Sequence, residues 1–150
     1  MTIQISDILS AKRVRCDVTA ASKKSALESL AELISSGNAG LTQTEVLDSL
    51  ITRERLGSTG LGHGIALPHG RLKHGTDTLG AFIRLAKPIS FDSIDNKPVD
   101  LLFALLVPEE STQAHLEILS KLAEKFSSDE FLAELRSEKS NDMIYQLLIA

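Results

Sequence analysis

The sequence predicts an α/β protein, a single-domain mixed β-sheet flanked by helices. Two observations carry this. Segments with helical periodicity alternate with strand-like segments along the whole length. Residues 99–107 are nearly all apolar, which fits a central strand covered on both faces. No repeat, low-complexity tract or linker interrupts the chain, so residues 1–150 read as one domain, long enough to bury a core.

Each element follows from its local pattern. Val14, Cys16 and Val18 alternate with Arg15 and Asp17, a short strand. Ala26, Leu27, Leu30, Leu33 and Ile34 recur at helical spacing. Ser22 or Thr19 opens that helix and Gly37 closes it. Thr42 and Glu45 form a capping box before Val46, Leu47, Leu50 and Ile51, so a second helix runs to about Leu56. Residues 65–67 read as a brief strand leading to Pro68. Leu79, Ala81, Ile83 and Leu85 alternate with Phe82 and Arg84, a strand that Pro88 ends. Pro108 stops the central strand. From Ser111 a helix places Leu116, Leu119, Ala123 and Phe126 along one face. Two short helices follow, near 129–136 and 142–148, the first with a capping box of Ser127 and Glu130.

Composition narrows the function classes. A hydrophobic share of 43% beside a charged share of 24% is that of a soluble globular protein. The net charge of -4 gives no general affinity for nucleic acid or anionic membrane. The one cysteine, Cys16, permits no internal disulfide and reads as a buried, inert thiol. The opening MTIQISDILS lacks the apolar run of a signal peptide. The longest apolar run, residues 101–107, is too short to span a bilayer. A cytoplasmic protein without membrane insertion is expected.

The chemistry concentrates in residues 57–71, GSTGLGHGIALPHGR. That stretch holds Gly57, Gly60, Gly62, Gly64 and Gly70, together with His63 and His69. Glycine-rich loops hold phosphate through inward N–H groups, which makes Gly60, Gly62 and Gly64 candidates to cradle one. Yet no lysine follows as in a P-loop, the dinucleotide pattern Gly-x-Gly-x-x-Gly breaks at Ile65 and Leu67, and no Gly-x-Ser-x-Gly elbow is present. What remains is His69. Pro68 has a fixed φ and biases Leu67 toward extended backbone, so the dipeptide aims the imidazole with little freedom. Neutral imidazole is a nucleophile that can carry a phosphoryl group on one ring nitrogen, while the other donates to a backbone carbonyl. His115, in or near the first turn of its helix, can donate a hydrogen bond to the phosphoryl oxygens. Arg53 and Arg55 end the second helix. The helix dipole alone favours arginine there, but a guanidinium can also fork onto phosphoryl oxygens. Zinc held by His63, His69 and His74 lacks a completing cysteine or HExxH helix, and no metal site is expected.

These residues carry a resemblance. Arg53-Glu54, then GSTGLGHGIALPHGR, then KPISFDSIDNKPVDLLFALLVP, then His115, closely resemble the nitrogen-regulatory enzyme IIA proteins. Those are fructose/mannitol-type IIA domains of the phosphoenolpyruvate-dependent phosphotransferase system. The resemblance spans roughly Ile5 to Leu148. It implies a mixed sheet flanked by helices, a phosphorylated His69 modified on Nε2, a second active-site histidine at His115, and an active-site arginine at Arg53 rather than Arg55. It carries no role onto His63. GSTG and SFDSIDNKPVDLLFALL favour the nitrogen-regulatory branch over the sugar-transport branch, and no IIB or IIC domain is attached. The implied donor is an HPr-like or NPr-like phosphocarrier protein. The implied output is phosphorylation-dependent protein binding, which in the family bears on potassium transport and sensor kinases. The chain would be a phosphocarrier rather than a multiple-turnover enzyme acting on a small substrate. No cofactor is implied, because a phosphohistidine donor has no nucleotide charge to neutralise. Leu61 and Leu72, on either side of His69, are candidates for carrier docking, with burial in the core as the alternative. The competing functions are a sugar-transport IIA domain that passes phosphate to a IIB domain, and an interaction module that is never phosphorylated.

Overall fold

A strand apolar on both sides needs a layer on each face, and the apolar run finds both. In the computed structural model, which describes residues 3–37, 40–73, 77–110 and 112–150, the run lies inside a six-stranded mixed sheet. The elements in chain order are α1 (Ile5–Ile8), a 3-10 turn (Ala11–Arg13), β1 (Val14–Val18), α2 (Lys23–Ser35), α3 (Gln43–Glu54), β2 (Gly60–Gly62), β3 (Ile65–Ala66), β4 (His69–Leu72), β5 (Leu79–Ile89), β6 (Val99–Pro108), α4 (Thr112–Phe126), α5 (Asp129–Ser137) and α6 (Asn141–Ile149). The strand order is β1-β5-β6-β3-β2, with β4 also on β6. β5 runs antiparallel to β6, whereas β3 and β4 run parallel to it.

Side chains of β6 alternate between two apolar layers. Leu102, Ala104 and Leu106 join Leu27, Leu30 and Ile34 of α2 and Val46 and Leu50 of α3. Leu101, Phe103, Leu105 and Val107 join Ile118, Leu122 and Phe126 of α4, Leu132 and Leu135 of α5, and Ile144 and Leu148 of α6. A fully buried Leu or Phe contributes about 1.5–3 kcal/mol, and β6 supplies such side chains to both layers.

The helix caps refine the expected boundaries. Ser22, not Thr19, opens α2, its Oγ accepting the Ser25 N–H at 3.1 Å. Thr42 opens α3 through the Glu45 N–H at 3.1 Å. The cap of α5 is Ser128 rather than Ser127, because Ser127 Oγ donates to Glu124 O at the end of α4 instead. The cap expected at Ser111 lies outside the described residues, as does His74. Leu116 faces outward at 57% exposure, against the expectation that it joins the buried stripe of α4. Cys16 is half-buried rather than buried, at the sheet edge beside Lys139 O.

β5 continues through Pro88 to Ile89, whereas the sequence predicts a stop there. β1 pairs no further than Leu85, and the β5–β6 register breaks between Arg84 and Ile89. The ladder therefore makes no demand on the N–H that Pro88 lacks. Among the described residues, no helix is long and apolar enough to cross a membrane.

Candidate functional site

β3 and β4 behave as one strand broken by a proline. Ala66 pairs with Leu102 and His69 with Leu105, so the register along β6 is unchanged across Leu67 and Pro68. The sequence predicts His69 in a loop, but the structure makes it the first residue of β4. Pro68 keeps its place because its carbonyl, which accepts the Leu105 N–H at 2.9 Å, is all the ladder needs. Leu67 N–H points the other way, to Thr59 O at 3.0 Å. Leu67 C=O lies on that same outer side and accepts from His69 Nδ1 at 2.8 Å. A carbonyl only accepts, so in the neutral ring Nδ1 carries the proton and Nε2 holds the free lone pair.

Alternation along the strand puts His69, Arg71 and Lys73 on one side, with Gly70 and Leu72 turned inward. A Cβ at Gly70 would strike Ser49 of α3, so glycine lets that helix lie against β4. Ser49 Oγ donates to Arg71 O at 2.9 Å and fixes the contact. The result is an open cavity of about 790 Å³ between α3, β4 and the start of α4. Arg53, Leu56, His69, Arg71, Lys73 and His115 are among its lining residues.

His115 enters from the first turn of α4 and is buried, with its ring centroid 5.3 Å from that of His69. Its Nδ1 has no hydrogen-bond partner among the described residues. Arg53 Nη1 donates to Gly57 O at 2.9 Å, tethering the helix end, and the side chain lines the cavity. Arg55 caps α3 and does not line the cavity.

Burial and cations keep both rings neutral. Burial lowers the pKa of His69; the Leu67 carbonyl opposes it, Arg53 lowers it further, Glu54 raises it and Arg71 lowers it. His115 falls from 6.5 to about 4, first through burial, then through His69, Arg71 and Arg53. Near pH 7 the cavity therefore holds two uncharged imidazoles, with Arg53, Arg71 and Lys73 and the carboxylates of Glu45 and Asp48 along its walls.

The glycines expected to cradle phosphate lie elsewhere. Gly60 and Gly62 form β2 and Gly64 its turn, and none lines the cavity. Gly60 N–H already donates to Ser58 Oγ, and a Cβ there would strike Ser93 Oγ. Gly62 faces Asp95, and Gly64 faces Arg136 and Asp100. Their service is close approach between segments, with φ of 90° at Gly62 and 82° at Gly64. Leu61 is 36% exposed on β2 and does not line the cavity. Leu72 lines it but is only 8% exposed and packs with the α2–α3 layer, so the core alternative holds for its side chain. The exposed apolar group at the cavity is Leu56, at 82% exposure, just past α3 and outside the apolar periodicity of that helix. The signal for Arg71 and Lys73 is the two-residue period running on from His69, which places them on its side of β4. Among the described residues no cluster of His, Cys, Asp and Glu is arranged to hold a metal.

Comparisons with known proteins agree with this geometry. Residues 7–150 match the family described as phosphoenolpyruvate-dependent sugar phosphotransferase system, EIIA 2. The chain is 43% identical over 148 residues to the nitrogen regulatory protein of Escherichia coli (strain K12), covering 98% of this chain and 90% of that one. It is 32% identical over 144 residues to the fructose-specific EIIA component of Haloferax volcanii, covering 96% and 94%. The crystal structure of nitrogen regulatory protein IIA-Ntr from Neisseria meningitidis superposes with a TM-score of 0.90 at 42% identity, covering 96% of this chain and 98% of that one.

Proposed function

We propose that this chain, which belongs to the EIIA 2 family of the phosphoenolpyruvate-dependent sugar phosphotransferase system, accepts its phosphoryl group on Nε2 of His69. The supporting observation is the 2.8 Å bond from Nδ1 to Leu67 O, which leaves Nε2 as the free nitrogen beside the cavity. Residues 1–150 act as one domain and as a cytoplasmic phosphocarrier of the nitrogen-regulatory kind.

The donor is a phosphohistidine on an HPr-like or NPr-like protein. The Nε2 lone pair of His69 forms the new P–N bond in line as the P–N bond of the donor breaks. The bonding pair leaves on the donor nitrogen, and a donor ring protonated at its other nitrogen departs neutral. His69 keeps its Nδ1 proton on Leu67 O and becomes a phosphoimidazolium, so no proton changes hands. Charge spreads over the three equatorial oxygens, and catalysis is positioning and electrostatics. His115 donates a hydrogen bond and Arg53 supplies a cation. Leu56 lies where a carrier must exclude water to bring its ring to the cavity. The output is binding: phosphorylation adds a net negative charge of about one and three strong acceptor oxygens at the cavity mouth, enough to open or close an interface.

The test is intact-mass analysis after mixing with phosphoenolpyruvate, enzyme I and HPr. The wild-type chain gains one phosphoryl group and His69→Ala gains none. Label retained at another residue in that variant sinks the assignment. Rapid onward transfer to a IIB domain would favour the sugar-transport reading instead.

A further inference from the structure

Thr59 and Leu67 face each other where β2 and β3 pair antiparallel, in register with the Gly60–Ala66 pair. Residues so placed normally exchange two bonds, N–H to O in each direction. Only one is made here. Leu67 N–H donates to Thr59 O at 3.0 Å. Thr59 N–H turns instead to Oε2 of Glu54 at 2.9 Å, and Thr59 Oγ1 donates to Oε1 of the same carboxylate. The carbonyl of Leu67, released from the ladder, is the one that holds His69 Nδ1.

Glu54 is a buried carboxylate at the last position of α3. Lys23, at the first position of α2, pairs with it at 2.9 Å and also stacks over the Phe91 ring. A buried charge persists only where partners satisfy it, and this one has an ammonium, an N–H and a hydroxyl.

On the reading of His69 as acceptor, we propose that Glu54 is a positioning residue for the transfer: by drawing off the Thr59 N–H it frees the Leu67 carbonyl to fix His69 in the Nδ1–H tautomer with Nε2 open. The same carboxylate supplies a negative charge behind the ring as the phosphoimidazolium forms. The charged groups that shift the His69 ring are Arg53 and Glu54 from α3 and Arg71 from its own strand, with His115 of α4 beside it; Glu45 and Asp48 of α3 and Lys73 also line the cavity. Glu54 is the anion that acts on the ring, and its place in the site is set by hydrogen bonds rather than by contact with the ring.

The experiment compares Glu54→Ala and Glu54→Gln in the full chain. Ring ¹⁵N shifts of His69 report the tautomer at pH 8 without any phosphorylation, and HPr-driven labelling reports the rate. Glu54→Ala returns the Thr59 N–H to Leu67 O, mixes the tautomers and slows labelling roughly ten-fold or more. Glu54→Gln keeps an acceptor for Thr59, so it restores the tautomer but leaves labelling slower, with a lower His69 pKa. An Ala variant that is folded, with wild-type tautomer and rate, overturns the proposal. If the Ala variant does not fold, the Gln variant decides, and an unchanged His69 pKa and rate there overturn it. Failure of the acceptor reading is separate, since it would appear as label elsewhere in His69→Ala.

Discussion

The hairpin of Gly60 to Gly64 and the strand from His69 to Leu72 lie within one run of thirteen residues, 60–72, and they are built for opposite ends. The hairpin is clamped. Asp95 accepts the His63 N–H, Arg136 donates to His63 O, and the Arg136 guanidinium is itself held by both oxygens of Asp100. The strand end is left open, with Arg71 and Lys73 beside the His69–His115 pair and a cavity before them. Glycine richness thus marks close packing at the first region and reactive access at neither. The site's chemistry comes from the strand end together with α3 and α4.

Substitutions should separate the two regions, the strand end answering in transfer and the hairpin in stability. The largest effect falls on Leu72→Asp. Placing a carboxylate against the α2–α3 layer should cost at least about 4 kcal/mol, seen as a collapse of the urea midpoint. A stable Leu72→Asp protein that merely binds carrier poorly would return Leu72 to docking. His115→Ala should fold and slow HPr-driven labelling on the order of ten- to a thousand-fold. Wild-type kinetics there would leave His115 without a role in transfer.

Acid should act through the strand end as well. The pKa of His115 in the fold, about 4, lies below its unfolded value of 6.5, so the unfolded chain binds more protons between them. Its contribution is whole above pH 6.5 and is lost as pH falls toward 4, on the order of 3 kcal/mol from this one ring. Denaturation midpoints at pH 7 and pH 4.5 measure it, and His115→Ala should flatten the slope. A slope unchanged in that variant would place the titration elsewhere.

At the hairpin, Gly64→Ala meets a φ of 82° and the Arg136 guanidinium. It should lose about 1–3 kcal/mol of stability with labelling unaffected. Slower labelling at unchanged stability would mean that this turn does reach the phosphoryl group. The smallest effect is expected of Leu61→Asp, exposed on β2 and away from the cavity, within about 0.5 kcal/mol and at wild-type transfer rate.

Local pattern made much of the fold legible. The two-sided burial of β6 is written in its composition, and Ser22 and Thr42 announced their helices because a cap bonds a residue only three positions on. Pro88 misled for the converse reason. Proline ends a strand only where a partner needs its N–H; β1 stops at Leu85, and β6 skips from Arg84 to Ile89, leaving Pro88 between its pairs. Leu116 fits the apolar stripe of α4 by spacing, yet no layer covers it.

By itself the sequence determined the class of fold and the family, and it singled out His69 as the candidate acceptor, since each rests on residue types in order along the chain. The tertiary structure alone decided what surrounds that histidine. Glu54, Thr59, Leu67 and His69 meet through sheet pairing and the seating of α3, and whether a carbonyl is free depends on which donor has already been taken. Strand register fixes that choice, and no spacing within one segment records it.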